Sequence, residues 1–74
     1  MNIENLVKMA NRIGAFFEAM PEKEEAVRDV ALHLKKFWEP RMRSALLAHV
    51  DEHGADKLRP IVAEAIAKHR KLLA

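Results

Sequence analysis

Three prolines divide this chain. Pro21, Pro40 and Pro60 stand at nearly even intervals in a sequence otherwise rich in Ala, Leu, Glu and Lys. Proline has no amide hydrogen and its ring clashes with the preceding turn, so each can open a helix but cannot sit inside one. With two glycines, no Tyr and no alternating apolar pattern, nothing suggests a strand. The spacing predicts an all-α protein: a small four-helix array in a single domain, with helices over about 3–19, 22–38, 40–53 and 60–73.

Each segment carries an apolar stripe at helical spacing. In the first, Ile3, Leu6, Ala10, Ile13 and Phe17 line one face, with Asn2 placed to cap the start and Met20-Pro21 to end it. The second opens near Pro21 with Glu22, Glu24 and Glu25 at the positive end of the helix dipole. It closes on Lys35 and Lys36 at the negative end. Its stripe is Val27, Ala31, Leu34 and Trp38. The third runs from Pro40 to a stop at Gly54, with Met42, Ala45, Leu46 and Val50 inward and Arg43 projecting toward that same side. Leu58 anchors the next loop, and Ile61, Val62, Ala65, Ile66, His69, Leu72 and Leu73 form the broad face of the fourth.

Four short helices need about one stripe each to enclose a core, yet two carry more. Met9, Phe16 and Met20 add a row to the first helix; Val30, His33 and Phe37 add one to the second. Two readings stay open. Either these helices are the central pair and bury two faces each, or the additional rows are an adaptable apolar contact surface.

The run Phe37-Trp38-Glu39-Pro40-Arg41-Met42-Arg43 is where they meet. Pro40 makes it a corner between helices two and three, and it holds the only Trp. Trp and Arg are the types most enriched at interface hot spots, and the guanidinium fork suits carboxylates. The expected partner-binding set is therefore Phe37, Trp38, Arg41 and Arg43 with Met9, Phe16, Met20, Val30 and His33. Trp38 continues the core stripe, so it is expected to be partly structural; Phe37, Arg41 and Arg43 are the stronger contact candidates.

Composition narrows the function classes. A chain of 74 residues supplies a net stability of roughly 3–5 kcal/mol without help, and with no cysteine there is no disulfide to add to it. Oligomerisation or a larger partner is the remaining aid. The lack of cysteine also excludes thiolate metal and iron–sulfur sites and fits an intracellular protein. A net charge of +2, from 13 basic and 11 acidic side chains, is too balanced for nucleic-acid affinity. Neither a signal peptide nor an apolar run approaching the ~18 residues of a membrane span is present, so a soluble cytoplasmic protein is expected.

No constellation supports catalysis. His49 and His53 share a helix face but lack a third metal ligand, and the intervening acids do not form the HExxH pattern. Ser44, the only serine, lies inside a helix; the two glycines are too far apart for a phosphate loop. No cofactor is expected. A DNA-binding regulator using helices two and three is the first rival, weakened by the acidic start of one and by Asp51-Glu52 on the other. A self-associating structural module is the second.

Several of these residues together resemble a known family. Met9-Ala10-Asn11 with Ile13 and Phe16-Phe17, then Pro21, Ala31-x-His33-Leu34-x-x-Phe37-Trp38-x-Pro40-Arg41-Met42-Arg43, is similar to the delta subunit of NAD-dependent formate dehydrogenases. Gly54, Leu58-x-Pro60 and Ala65-Ile66 extend the likeness over almost the whole chain. Arg59 departs from it, standing where a helix-capping residue such as Ser would be expected. The resemblance implies a non-catalytic accessory subunit of a soluble molybdenum or tungsten formate dehydrogenase. In that family the large catalytic subunit carries the bis-pterin metal cofactor and iron–sulfur clusters, and other subunits carry FMN. It also implies that the delta subunit holds no cofactor and aids assembly, cofactor maturation or stability of the complex.

Overall fold

A computed structural model describes residues 2–74. Helices α1 (Ile3–Phe17), α2 (Lys23–Phe37), α3 (Pro40–His53), α4 (Pro60–Lys68) and α5 (Arg70–Leu73) follow in order, with no strand among the described residues. The all-α array of four helical segments is as expected, with one refinement: the last segment breaks at His69. There the backbone leaves helical geometry (φ −119°, ψ 31°). The break turns α5 onto α2 and α3 and buries Leu73.

Local chemistry explains most boundaries. Asn2 accepts from the Glu4 amide at 2.8 Å and the Asn5 amide at 3.4 Å, so two of the four orphan N–H groups of α1 are satisfied. α1 ends two residues before the expected position, because the Met20 amide turns back to the Phe17 carbonyl at 3.0 Å and Met20 packs partly against the core. Gly54 ends α3 in the left-handed region (φ 83°), which suits a residue without a side chain.

Arg59 replaces a capping side chain with a different solution. Pro60 at the first helical position has no N–H to satisfy, and the Val62 and Ala63 amides both reach the Arg59 carbonyl, at 2.9 and 3.0 Å. The Arg59 amide itself donates to Asn11 Oδ1 at 2.8 Å, and Asn11 Nδ2 donates to the Lys57 carbonyl at 3.0 Å. The Arg59 side chain then forks onto Glu18, at 3.0 and 2.8 Å. One departure from the expected pattern thus ties the α3–α4 loop to α1.

Leu6, Ala10, Val27, Val30, Ala31, Leu34, Leu46, Val62, Ala65 and Ile66 form the centre of one hydrophobic cluster to which every helix contributes through these residues or Leu73. α1 packs closely on α4 at Gly14. A Cβ there would lie 2.6 Å from Val62 Cγ2 and 3.0 Å from Ile61 Cγ2. Both are stiff β-branched side chains buried in the core, so neither can swing aside. Gly14 is a contact requirement between helices.

Two consequences are measurable. In an open helix interior Gly→Ala is stabilising by up to about 1 kcal/mol. Gly14→Ala should instead destabilise by about 1–3 kcal/mol through overpacking, read by urea denaturation followed by circular dichroism. A more stable variant would mean that Val62 repacks. The second concerns pH. The hydrogen bonds from Arg59 lower the Glu18 pKa from its ordinary 4.5, and those from Arg70 lower that of Asp51 from 3.8, each with a smaller Coulombic contribution. Their stabilisation is complete above those ordinary values and disappears as the pH falls through the depressed ones. A Glu18→Gln/Asp51→Asn chain should therefore show a shallower acid limb in melting temperature against pH; an unchanged limb would exclude these pairs as its cause.

Candidate docking surface

The additional apolar rows divide in the fold. Val30 is fully buried, and Trp38 is 5% exposed within the core cluster. Both lie inside the chain rather than on its surface, because α2 packs against α1, α4, α5 and α3. Met20 is half-buried. It lines a shallow cleft of about 300 Å3 with Glu18, Lys23, Pro60 and Ile61, a lining that includes neither Met9 nor Phe16.

Phe16 and Phe37 behave differently. They are 73% and 71% exposed, although Phe is a side chain whose burial is worth about 1.5–3 kcal/mol. They end a continuous chain of rings. Phe16 meets Phe17 edge-on, with centroids 5.1 Å apart and planes at 88°; Phe17 lies 6.1 Å from His33; His33 lies 4.7 Å from Phe37. Phe17 and His33 are half-buried, and Phe17 packs against the core. The strip therefore has a rooted middle and two projecting ends. Edge-on contact also restricts the Phe16 ring, which lowers the entropy lost if something covers it. Met9, 41% exposed, lies two helical turns before Phe16 on the same side of α1.

The corner holds the second half of the arrangement. Trp38 leaves α2 in extended geometry (ψ 140°) and Glu39, preceding Pro40, is extended as well (ψ 151°). Arg43, expected at the surface of a partner, is instead only 8% exposed. Its Nη1 donates to the Trp38 carbonyl at 2.7 Å and the Lys35 carbonyl at 3.1 Å, and its Nε donates to the Leu73 carbonyl at 3.2 Å. These are orphan carbonyls at the C-terminal ends of α2 and α5, where the helix dipole favours a cation. Arg43 is thus a structural clasp. Arg41 remains exposed on the first turn of α3.

The exposed members left from the expected set are Phe16, Phe37, Met9 and Arg41, with His33 half-exposed between two of them. Phe17, assigned from sequence to the core stripe alone, is the additional member, since it joins the α1 end of the strip to the α2 end. Adjacent aromatics at the end of a helix were its only sequence signal.

His49 and His53 stand with rings 5.2 Å apart, but no group of three or more His, Cys, Asp or Glu side chains is placed to hold a metal among the described residues. No helix among them is long and apolar enough to cross a membrane. Of the corner's cations, Arg43 is committed to carbonyls, and Asp51 on α3 is engaged by Arg70.

The family model described as NADH-dependent formate dehydrogenase delta subunit FdsD matches residues 5–66. The chain belongs to this family. No curated protein and no solved structure matches it. The matched segment of the delta-subunit family runs from within α1 to within α4 and so contains the whole aromatic strip, the corner and Arg43. Helix α5, whose Leu73 carbonyl completes the clasp, lies beyond it.

The clasp makes a definite prediction for this delta-family chain. Arg43→Leu keeps an apolar stem but leaves three carbonyls without their charged donor, so unfolding free energy should fall by about 1.5–3 kcal/mol in urea titration. Wild-type stability in that variant would show the carbonyls equally well served by water.

Proposed function

We propose that this chain is a non-catalytic accessory subunit of an NADH-dependent formate dehydrogenase, acting in the cytoplasm as a single docking domain on the large catalytic subunit. It supports assembly, cofactor maturation or stability of that complex and contributes no cofactor of its own. Family membership supports the enzyme context. The observation that carries the docking role is the strip Phe16–Phe17–His33–Phe37, rooted in the core and exposed at both ends.

A small domain gains little from exposing two phenylalanines in water, whereas a partner that covers them recovers their burial and completes the surface. Met9 extends the contact along α1, and Arg41 contributes a cation at the corner. His33 acts between the rings as a polar contact. Val30, Trp38 and Arg43 act from inside, by holding α2 and the corner in register. Nucleic acid is not the partner in this proposal. In isolation the same strip is available to a second copy of the chain.

The test is co-purification. A Phe16→Ala/Phe37→Ala chain, tagged and produced with the formate dehydrogenase subunits, should retain its helical circular dichroism and lose most of the catalytic subunit, since hot-spot aromatics cost about 2 kcal/mol or more each when truncated. Undiminished recovery of the catalytic subunit by that variant would refute docking through the strip.

A further inference from the structure

The strip has a charged border. Arg12 stands one helical turn before Phe16 on α1, Lys36 adjoins Phe37 on α2, and Arg41 follows just past the corner. All three are exposed, and among the described residues none lies within 4 Å of a carboxylate. Arg59, Arg70 and Lys68 are neutralised in place by Glu18, Asp51 and Glu64, whereas Lys8, Arg28, Lys35, Lys57 and Lys71 are also without a carboxylate within 4 Å among the described residues. The acids nearest the strip in sequence are Glu18, next to Phe17 and engaged by Arg59, Glu39 at the corner, and Asp29, one turn before His33 and half-buried. The opposite end of α2 is acidic, with Glu24 and Glu25 in its first turn. Charge is therefore polarised along α2, and the cationic end is the end that carries the exposed rings.

Resting on the docking role proposed above, we infer that the surface receiving this strip on the catalytic subunit is an apolar groove with an acidic rim. Phe16 and Phe37 enter the apolar floor. Arg12, Lys36 and Arg41 meet carboxylates around it, with the two guanidinium groups able to fork onto them. An unpaired cation at an interface rim acts mainly on encounter, because its field reaches about 8 Å at physiological salt. The buried rings act mainly on dissociation. The two halves of the surface should therefore separate kinetically.

The experiment uses the full chain and the purified catalytic subunit, immobilised, with association and dissociation recorded between ~50 and ~300 mM NaCl. For the unaltered chain, association should slow by about tenfold or more over that range while dissociation changes little. Lys36→Glu and Arg41→Glu should each slow association by several-fold to tenfold at low salt. Lys57→Glu, in the α3–α4 loop and outside the proposed border, makes the same change in net charge and should leave the rate nearly unchanged. Association that is insensitive to salt and equal in all three variants would overturn the acidic rim and leave the docking role standing. Faster association by Lys36→Glu would overturn it too. Failure of the unaltered chain to bind the catalytic subunit at any salt would remove both proposals.

Discussion

Three backbone carbonyls converge on one guanidinium, and the geometry of the chain depends on that meeting. Arg43 begins on the first turns of α3, reaches back to the last turn of α2 and forward to the end of α5. No carboxylate among the described residues is involved. A buried cation without an anion is costly unless its protons are satisfied, and here the partners are carbonyls at two helix ends whose dipoles already carry partial negative charge. The arrangement satisfies groups that would otherwise be orphaned in a buried corner. It also fixes the direction in which α3 leaves α2.

That corner determines what the surface can present. Because Trp38 is drawn inward as the last core residue of α2, its neighbour Phe37 must point away from the core, alongside His33 one turn earlier. Phe17 approaches His33 from α1, and the rings join into a strip that belongs to neither helix alone. A partner that covers the strip must engage α1 and α2 together, so recognition and folding are linked. The narrow contact at Gly14 contributes to the same end by seating α1 on α4.

A protein of this size without cysteine has few ways of adding stability. It uses distributed ties between segments distant in sequence: Asn11 to the loop before α4, Arg59 to Glu18, Arg70 to Asp51. The ion pairs are exposed and individually modest. Their placement is more informative than their strength, since they anchor the α3–α4 loop and α5, the two parts with least helix of their own.

Most of the fold was legible because it is written in local rules. Pro40 and Pro60 at helix starts, Asn2 as a cap, Gly54 as a stop and stripes at helical spacing require only neighbours within a turn or two, whereas Pro21 lies just before α2 rather than in its first turn. The family resemblance was legible too, since it rests on a linear run around the corner. The break at His69 was not, because no Gly or Pro marks it and its reward is the seating of Leu73 against distant helices. The candidate surface was half legible. Periodicity identified the additional rows, but whether Val30 or Phe37 lies inside depends on how many helices surround α2, which no local pattern states. Arg43 is the clearest case: its approach to the inward side followed from its register, whereas its three acceptors come from residues 5 to 30 positions away. The sequence by itself determined the helices, their caps and the Pro-defined corner. The tertiary structure alone decided which aromatic and which cation stay outside, because burial is a property of the assembled helices.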